Sequence, residues 1–195
     1  MAVTSVTLGR PAVGLTMKIC LAGDTAVGKT SLVRRFVSNT FEEHYTMTLG
    51  AKVSSRRYAI EDPRNPGSAI EVGATIWDIM GHIGFRDIMK DAFFHGAHGV
   101  LLVCDGTRPE TMWNLADWWK SVLAISGRVP AILLVNKADL LAERRLSPAD
   151  VDKFCASNGW SSFTTSAKTG DNVETAFARI AEVHLRNLQG GATTL

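Results

Sequence analysis

Short apolar runs alternate along the chain with stretches in which apolar residues recur every third or fourth position. MKICLAG (17–23), GVLLVCD (99–105) and AILLVNK (131–137) are continuous apolar runs of the kind that strands buried on both faces display. AKVSSRRYAI (51–60) and AIEVGATIWD (69–78) also read as strands, and the joint between them, EDPRNPGS, holds two prolines, an Asn and a Gly. That turn chemistry predicts an antiparallel hairpin. WSSFTTS (160–166) is a weaker sixth strand.

Helices are expected between these runs. One spans Lys29 to about Ser38, and another runs from Pro109 to about Ile125, with Met112, Leu115, Ala116, Trp119, Val122 and Leu123 on one face. That phase puts Trp119 in the core and Trp113 and Trp118 toward its edges, where packing against neighbouring elements is expected and a partner surface is the alternative. SPADVDKFCAS (147–157) begins with Ser as N-cap and Pro in the first turn. A last helix covers roughly Asn172 to Leu188. Strand–helix alternation of this kind predicts an α/β fold: a mostly parallel six-stranded sheet with one antiparallel edge strand and helices on both faces. One domain is expected over 17–188, with flexible tails at 1–16 and 189–195.

Composition narrows the possibilities without choosing among them. The chain has 195 residues, 46% hydrophobic and 21% charged, with a formal net charge of +2. That balance gives no case for nucleic acid or an acidic membrane surface. Cys20, Cys104 and Cys155 lie far apart and read as reduced packing residues. No apolar run approaches the roughly 20 residues of a membrane span. The start has no secretory-signal pattern, residue 2 is Ala rather than a myristoylation Gly, and no cysteine lies near QGGATTL. A cytoplasmic monomer without a lipid anchor is expected. His44, His95, His98 and His184 show no metal-ligand spacing.

Chemistry enters with GDTAVGKT, Gly23 to Thr30, which fits G-x-x-x-x-G-K-[ST] between an apolar strand and a helix. Glycines there let backbone N–H groups close around phosphate oxygens, and the helix N-terminus adds a favourable dipole. Lys29 would reach the outer phosphates and the Thr30 hydroxyl would bind Mg²⁺. This loop alone serves kinases, ATPases and GTPases alike. The base is specified by NKAD, Asn136 to Asp139, directly after a strand. A carboxylate at that edge can accept from guanine N1–H and the exocyclic amine, a donor pair that adenine lacks. SAK, Ser166 to Lys168, follows the last strand.

Taken together, these motifs resemble those of the small GTPases of the Ras superfamily, nearest the Rab and Rho branches. GDTAVGKTS resembles the family's phosphate loop, so Gly23, Asp24, Thr25, Ala26, Val27, Gly28, Lys29, Thr30 and Ser31 are implied nucleotide contacts. WDIMGH (77–82) resembles the D-x-x-G segment, NKAD the guanine-specificity motif and TSAK the last base-contacting loop. The resemblance implies that Phe41 lies against guanine, Tyr45 closes over the phosphates and Thr48 coordinates Mg²⁺ when a γ-phosphate is present. It further implies that Asp78 holds the ion through water, the Gly81 N–H donates to the γ-phosphate, Lys137 packs along the phosphate loop and base, and the Ala167 N–H meets the guanine oxygen. Effectors, exchange factors and activating proteins would read Phe41–Leu49 and Gly81–Met89.

Several positions depart from the pattern. Thr25 stands where Ras-like members have Gly and many Rab-like members Ser, and it crowds the space of an incoming arginine finger. Ile79 and Met80 replace the small Thr-Ala of D-T-A-G, and the 61–68 hairpin tip is longer than usual. His82 replaces the Gln that orients the attacking water. It is either an idle loop residue or, as in translational GTPases, a histidine that a partner positions. The resemblance thus implies a guanine-nucleotide switch with Mg²⁺ and slow intrinsic hydrolysis, its catalytic set being Lys29, Thr48, Gly81 and His82. The alternatives are a constitutively GTP-loaded scaffold and, more remotely, a small-molecule kinase, which would need an arginine-bearing lid.

Overall fold

The computed structural model describes residues 13–42, 48–62, 65, 67–81 and 91–190. Six strands form one sheet: β1 (Val13–Ala22), β2 (Ala51–Glu61), β3 (Ala69–Ile79), β4 (Gly99–Asp105), β5 (Ala131–Asn136) and β6 (Ser161–Thr164). Their order is β2-β3-β1-β4-β5-β6. The β2–β3 pair is antiparallel, in register from Ala51↔Ile79 to Glu61↔Ala69, and the other pairings are parallel. The antiparallel hairpin and the edge position of β2 are as the turn chemistry of the joint predicts. Around the sheet lie α1 (Lys29–Ser38), α2 (Glu110–Trp113), α3 (Leu115–Ser126), α4 (Pro148–Asn158) and α5 (Val173–Gly190). A 3₁₀ turn covers Leu141–Glu143.

The two-residue period of the central strands divides the core into two layers. Leu15, Met17, Ile19 and Leu21 of β1, with Leu101 and Val103 of β4 and Ile132 and Leu134 of β5, pack beneath α1 and α5. There Phe36 and Phe177 stack with ring centroids 3.8 Å apart. Cys20 and Ala22, with Val100, Leu102, Cys104, Leu133 and Val135, face the opposite layer, which holds Met112, Leu115, Trp118, Val122, Val151 and Cys155. All three cysteines are buried and unpaired, as a packing role requires. Burial pushes the Cys20 thiol up to about 12, so it stays protonated and unreactive at neutral pH. Ser147 caps α4 by accepting from the Asp150 N–H at 3.1 Å.

Three expectations are corrected. β1 starts at Val13 rather than Met17, because β3 is long enough to carry the pairing back to Val13↔Glu71 through an irregularity between Val13 and Leu15. The expected tail at 1–16 therefore gives its last residues to the sheet. The helix expected from Pro109 to Ile125 is divided at Asn114, where the Trp118 N–H to Asn114 carbonyl distance is stretched to 3.5 Å. The buried phase is Met112, Leu115, Trp118 and Val122: Trp118 is 1% exposed, whereas Leu123 and Ala116 face outward. Trp119 is half-buried, edge-on to Trp160 at 5.3 Å, and Trp113 is 51% exposed and edge-on to Phe154. No helix among the described residues is long and apolar enough to cross a membrane.

Candidate functional site

The carboxyl ends of the parallel strands converge on one side of the sheet, the edge at which open α/β sheets bind ligands. β1 ends at Ala22, just before Gly23, while β3 carries Asp78 near its end and β4 and β5 close with Asp105 and Asn136. A cavity of about 390 Å³ opens there. Its lining includes Thr25, Ala26, Gly28, Lys29, Thr30 and Ser31 from the loop and α1. Phe41, Thr48, Gly81, Asn136, Lys137, Asp139, Ala167 and Lys168 join them from the other segments. Residues far apart in sequence that were singled out by motif are thus neighbours.

The loop closes on itself before any ligand is considered. Lys29 Nζ donates to the carbonyls of Gly23 and Asp24 at 2.6 and 2.8 Å. Burial pushes the ammonium down to about 8, a shift that Asp78 and Asp24 oppose. Gly28 caps α1 with φ +99°, and a Cβ there would lie 2.2 Å from Asn136 Nδ2. Only glycine satisfies both the left-handed backbone and that contact. Gly81 is pressed against the same loop: a Cβ on it would sit 2.5 Å from the Asp24 carbonyl and 2.6 Å from the Thr25 nitrogen.

Beside the loop, three oxygen-bearing side chains meet. The Thr30 hydroxyl donates to Asp78 Oδ2 at 2.5 Å and lies 3.0 Å from the Thr48 hydroxyl. Asp78 is 1% exposed, and its Oδ1 is buried with no hydrogen-bond partner among the described residues. Burial raises the Asp78 carboxyl above the ordinary carboxylate range, countered in part by Thr30 and Lys29. A buried carboxylate oxygen without a donor, flanked by two hydroxyls, is a hard-oxygen set suited to Mg²⁺.

At the other end, Asp139 Oδ1 accepts from the Ser166 hydroxyl at 2.5 Å, which fixes the carboxylate. Asn136 joins the base-side loops to the phosphate loop. Its Nδ2 donates to the Val27 carbonyl at 2.9 Å, and its Oδ1 accepts from the Ala167 N–H at 3.2 Å. Arg35 braces the last loop by donating to the Ala167 and Lys168 carbonyls. Lys137 lines the cavity with its ammonium 2.6 Å from Asp105 Oδ2. Burial would push the Asp105 carboxyl up, but Lys137, Thr107 and Arg108 outweigh it and hold the group below its usual range.

The motif reading missed Asp105, Arg108, Asn114 and Trp118. Asp105 was within reach, because it ends an apolar strand as Asn136 does. The other three are brought to the loop by tertiary packing. Tyr45 and His82 lie outside the described residues, as do 43–47 of the first expected switch and 82–89 of the second. Of the 61–68 tip, 63, 64 and 66 are also outside them.

A family model described as the Ras family matches residues 18–186. The chain is 35% identical to the Ras-related protein Rab-2B of Dictyostelium discoideum over 173 residues, 88% of this chain and 82% of that protein. It is 36% identical to the Ras-related protein Rab-13 of Bos taurus over 165 residues, 84% of this chain and 77% of the other.

Proposed function

Because the chain belongs to the Ras family of small GTPases, we propose that it is a guanine-nucleotide switch that binds GTP and GDP with Mg²⁺ and, unaided, hydrolyses GTP slowly. One observation carries the reading: a single cavity unites the Lys29 loop with the Ser166-fixed carboxylate of Asp139, beside the unpartnered Oδ1 of Asp78.

The division of labour follows from the chemistry of each group. Backbone N–H groups of residues 25–31 cradle the phosphates, and Lys29 exchanges two carbonyls for phosphate oxygens. Thr30, Thr48 and Asp78 hold Mg²⁺, which offsets the phosphate charge. Asp139 accepts from the guanine N1–H and amine, while Asn136 fixes the spacing between base and phosphate sites through Val27. Phe41 and Lys168 flank the base. Gly81, already against the loop, offers its N–H to the γ-phosphate, and Thr48 joins only when that phosphate is present. Loss of the phosphate releases both segments, and partners distinguish the two states. His82 replaces a water-orienting amide and is idle without a partner; Thr25 narrows the approach of an arginine supplied in trans.

The nucleotide retained through purification should be identified first, followed by competition of GTP against ATP and by single-turnover hydrolysis. Retained GDP that is released faster on chelating Mg²⁺, with ATP unable to compete, supports the switch. Retained GTP that survives incubation with Mg²⁺ points instead to the loaded scaffold. Equal competition by ATP overturns the guanine assignment.

A further inference from the structure

The phosphate loop is gripped from outside the cavity as well as from within. Asn114 Nδ2 donates to Asp24 Oδ2 at 2.7 Å and the Trp118 indole Nε1–H to Asp24 Oδ1 at 3.0 Å. Arg108 donates through one NH2 group to the Thr25 carbonyl at 3.0 Å, while its Nε bonds Asp105 Oδ2 at 3.0 Å. Asn114, Trp118 and Arg108 are not among the cavity-lining residues. We propose that Asn114 and Trp118 are positioning residues, which clamp the Asp24 carboxylate so that the phosphate loop presents its N–H groups to the nucleotide; the proposal rests on the nucleotide-switch reading above.

Peptide geometry supplies the reason. In a trans peptide the carbonyl and the following N–H point in opposite directions. Arg108 on the Thr25 carbonyl therefore aims the Ala26 N–H away from Arg108, and Asn136 on the Val27 carbonyl does the same for Gly28. Asp24 precedes this stretch, and its own carbonyl is held by Lys29 at 2.8 Å. Without the side-chain clamp, rotation about Asp24 would carry the Thr25 peptide with it. Trp118 is anchored in the core layer beneath α3. Its indole N–H thus fixes the loop relative to the sheet rather than to another mobile side chain.

Asp24 also lies beneath Gly81, so its placement sets the seat of the second switch segment. A clamp of this kind acts on ligand release more than on global stability. Each bond to the carboxylate is charge-assisted, and its loss is expected to raise the GDP dissociation rate by about tenfold.

The test uses the full chain loaded with a fluorescent GDP in Mg²⁺, with dissociation followed after adding excess GDP. Trp118→Phe keeps a ring in the core and removes the N–H donor. Asn114→Asp sets two carboxylates against each other and should speed release at least as much. The exchange of both partners, Asp24→Asn with Asn114→Asp, restores an amide–carboxylate pair and should return the rate to within about threefold of wild type. The wild-type indole N–H resonance of Trp118, in a nitrogen-labelled sample, should shift when nucleotide is removed, and it needs no variant to fold. Release at the wild-type rate from Trp118→Phe and Asn114→Asp overturns the clamp, as does an indole resonance indifferent to nucleotide. Failure of the exchanged pair to restore the rate counts against it equally. Wild-type protein that binds no guanine nucleotide overturns the underlying reading instead.

Discussion

Gly28→Ala puts the geometry of the cradle to a quantitative test. The substitution forces a side chain onto a residue with φ +99° and sets its Cβ 2.2 Å from Asn136 Nδ2. The backbone strain is worth about 1–3 kcal/mol. Moving the Asn136 amide breaks its 2.9 Å bond to the Val27 carbonyl, and loss of that buried bond costs about 1–3 kcal/mol more. A total of roughly 2–6 kcal/mol is a large fraction of the roughly 5–15 kcal/mol that holds a typical domain together. The two terms can be separated. In an Asn136→Ala background the collision is gone, so Gly28→Ala should there cost only the backbone part. Urea unfolding of the four nucleotide-stripped forms gives the cycle, which should be less than additive by about 1–3 kcal/mol. A cost below about 0.5 kcal/mol in the wild-type background would refute the strained-cap reasoning. Equal costs in both backgrounds would refute the Asn136 contact.

Three further outcomes are expected. Burial holds the Lys29 amine at about 8 against an ordinary 10.5, so between those values the unfolded chain binds more protons and stability rises with pH. Between about pH 8 and 9.5 the urea stability of nucleotide-free wild type should change by about 1.5 kcal/mol more in the favourable direction than that of Lys29→Met, because the buried thiols of Cys20, Cys104 and Cys155, held above their usual range, pull the other way equally in both forms. Asp139→Asn should weaken GTP binding about ten- to hundredfold and favour a xanthine nucleotide, whose carbonyl replaces the amine; unchanged GTP affinity would sink the base assignment. In single-turnover assays His82→Ala should change little and His82→Gln should speed hydrolysis by about tenfold, whereas imidazole-like titration of a fast wild-type rate, lost in His82→Ala, would make His82 an intrinsic catalytic group.

The strands were legible because β4 and β5 are buried on both faces and leave continuous apolar runs. The start of β1 was not: Gly14 and Thr16 resemble a tail, and only pairing with β3 makes them strand, with Gly14 tight against Ile70. The phase of the α2–α3 region was misread for a related reason. Met112, Leu115, Ala116, Trp119, Val122 and Leu123 fit one helical face, but Met112, Leu115, Trp118 and Val122 fit another just as well, and only the tertiary packing that buries Trp118 with its N–H on Asp24 chooses between them. The motifs that converge on the cavity were more legible than the packing around them. Gly23–Thr30 and Asp139 each come after a strand and Asp78 lies near the end of one, so the three motifs are local in sequence. What holds them in register is not local. Asn136 reaches Val27, Arg108 reaches Thr25 and Trp118 reaches Asp24 only once the sheet has formed.

The electrostatics of the cradle give the proposed switch its direction. Burial pushes Lys29 down and Asp78 up, so both groups resist their charged forms before a ligand arrives. A magnesium–nucleotide complex brings negative charge to the first and positive charge to the second, relieving both. Nucleotide at about a hundred times its dissociation constant would then stabilise the fold by about 2.7 kcal/mol. The link to Thr48 is weaker. Its 3.0 Å contact with Thr30 is worth about 1 kcal/mol, no more than the roughly 1–2 kcal/mol of backbone entropy lost in fixing a single residue. That contact alone cannot keep the first switch segment in place. In the proposed switch, additional attraction from the ion and the γ-phosphate would tip the balance, and losing the γ-phosphate would return it. On the proposed reading, Lys29 and Asp78 would govern how tightly nucleotide is held, while Thr48 would report which nucleotide is there. Thr48→Ala should accordingly leave GDP affinity within about threefold while abolishing the difference between GDP- and GTP-loaded protein in amide exchange at 48–50. Equal loss of both nucleotides in that variant would show that Thr48 belongs to the cradle and not to the switch.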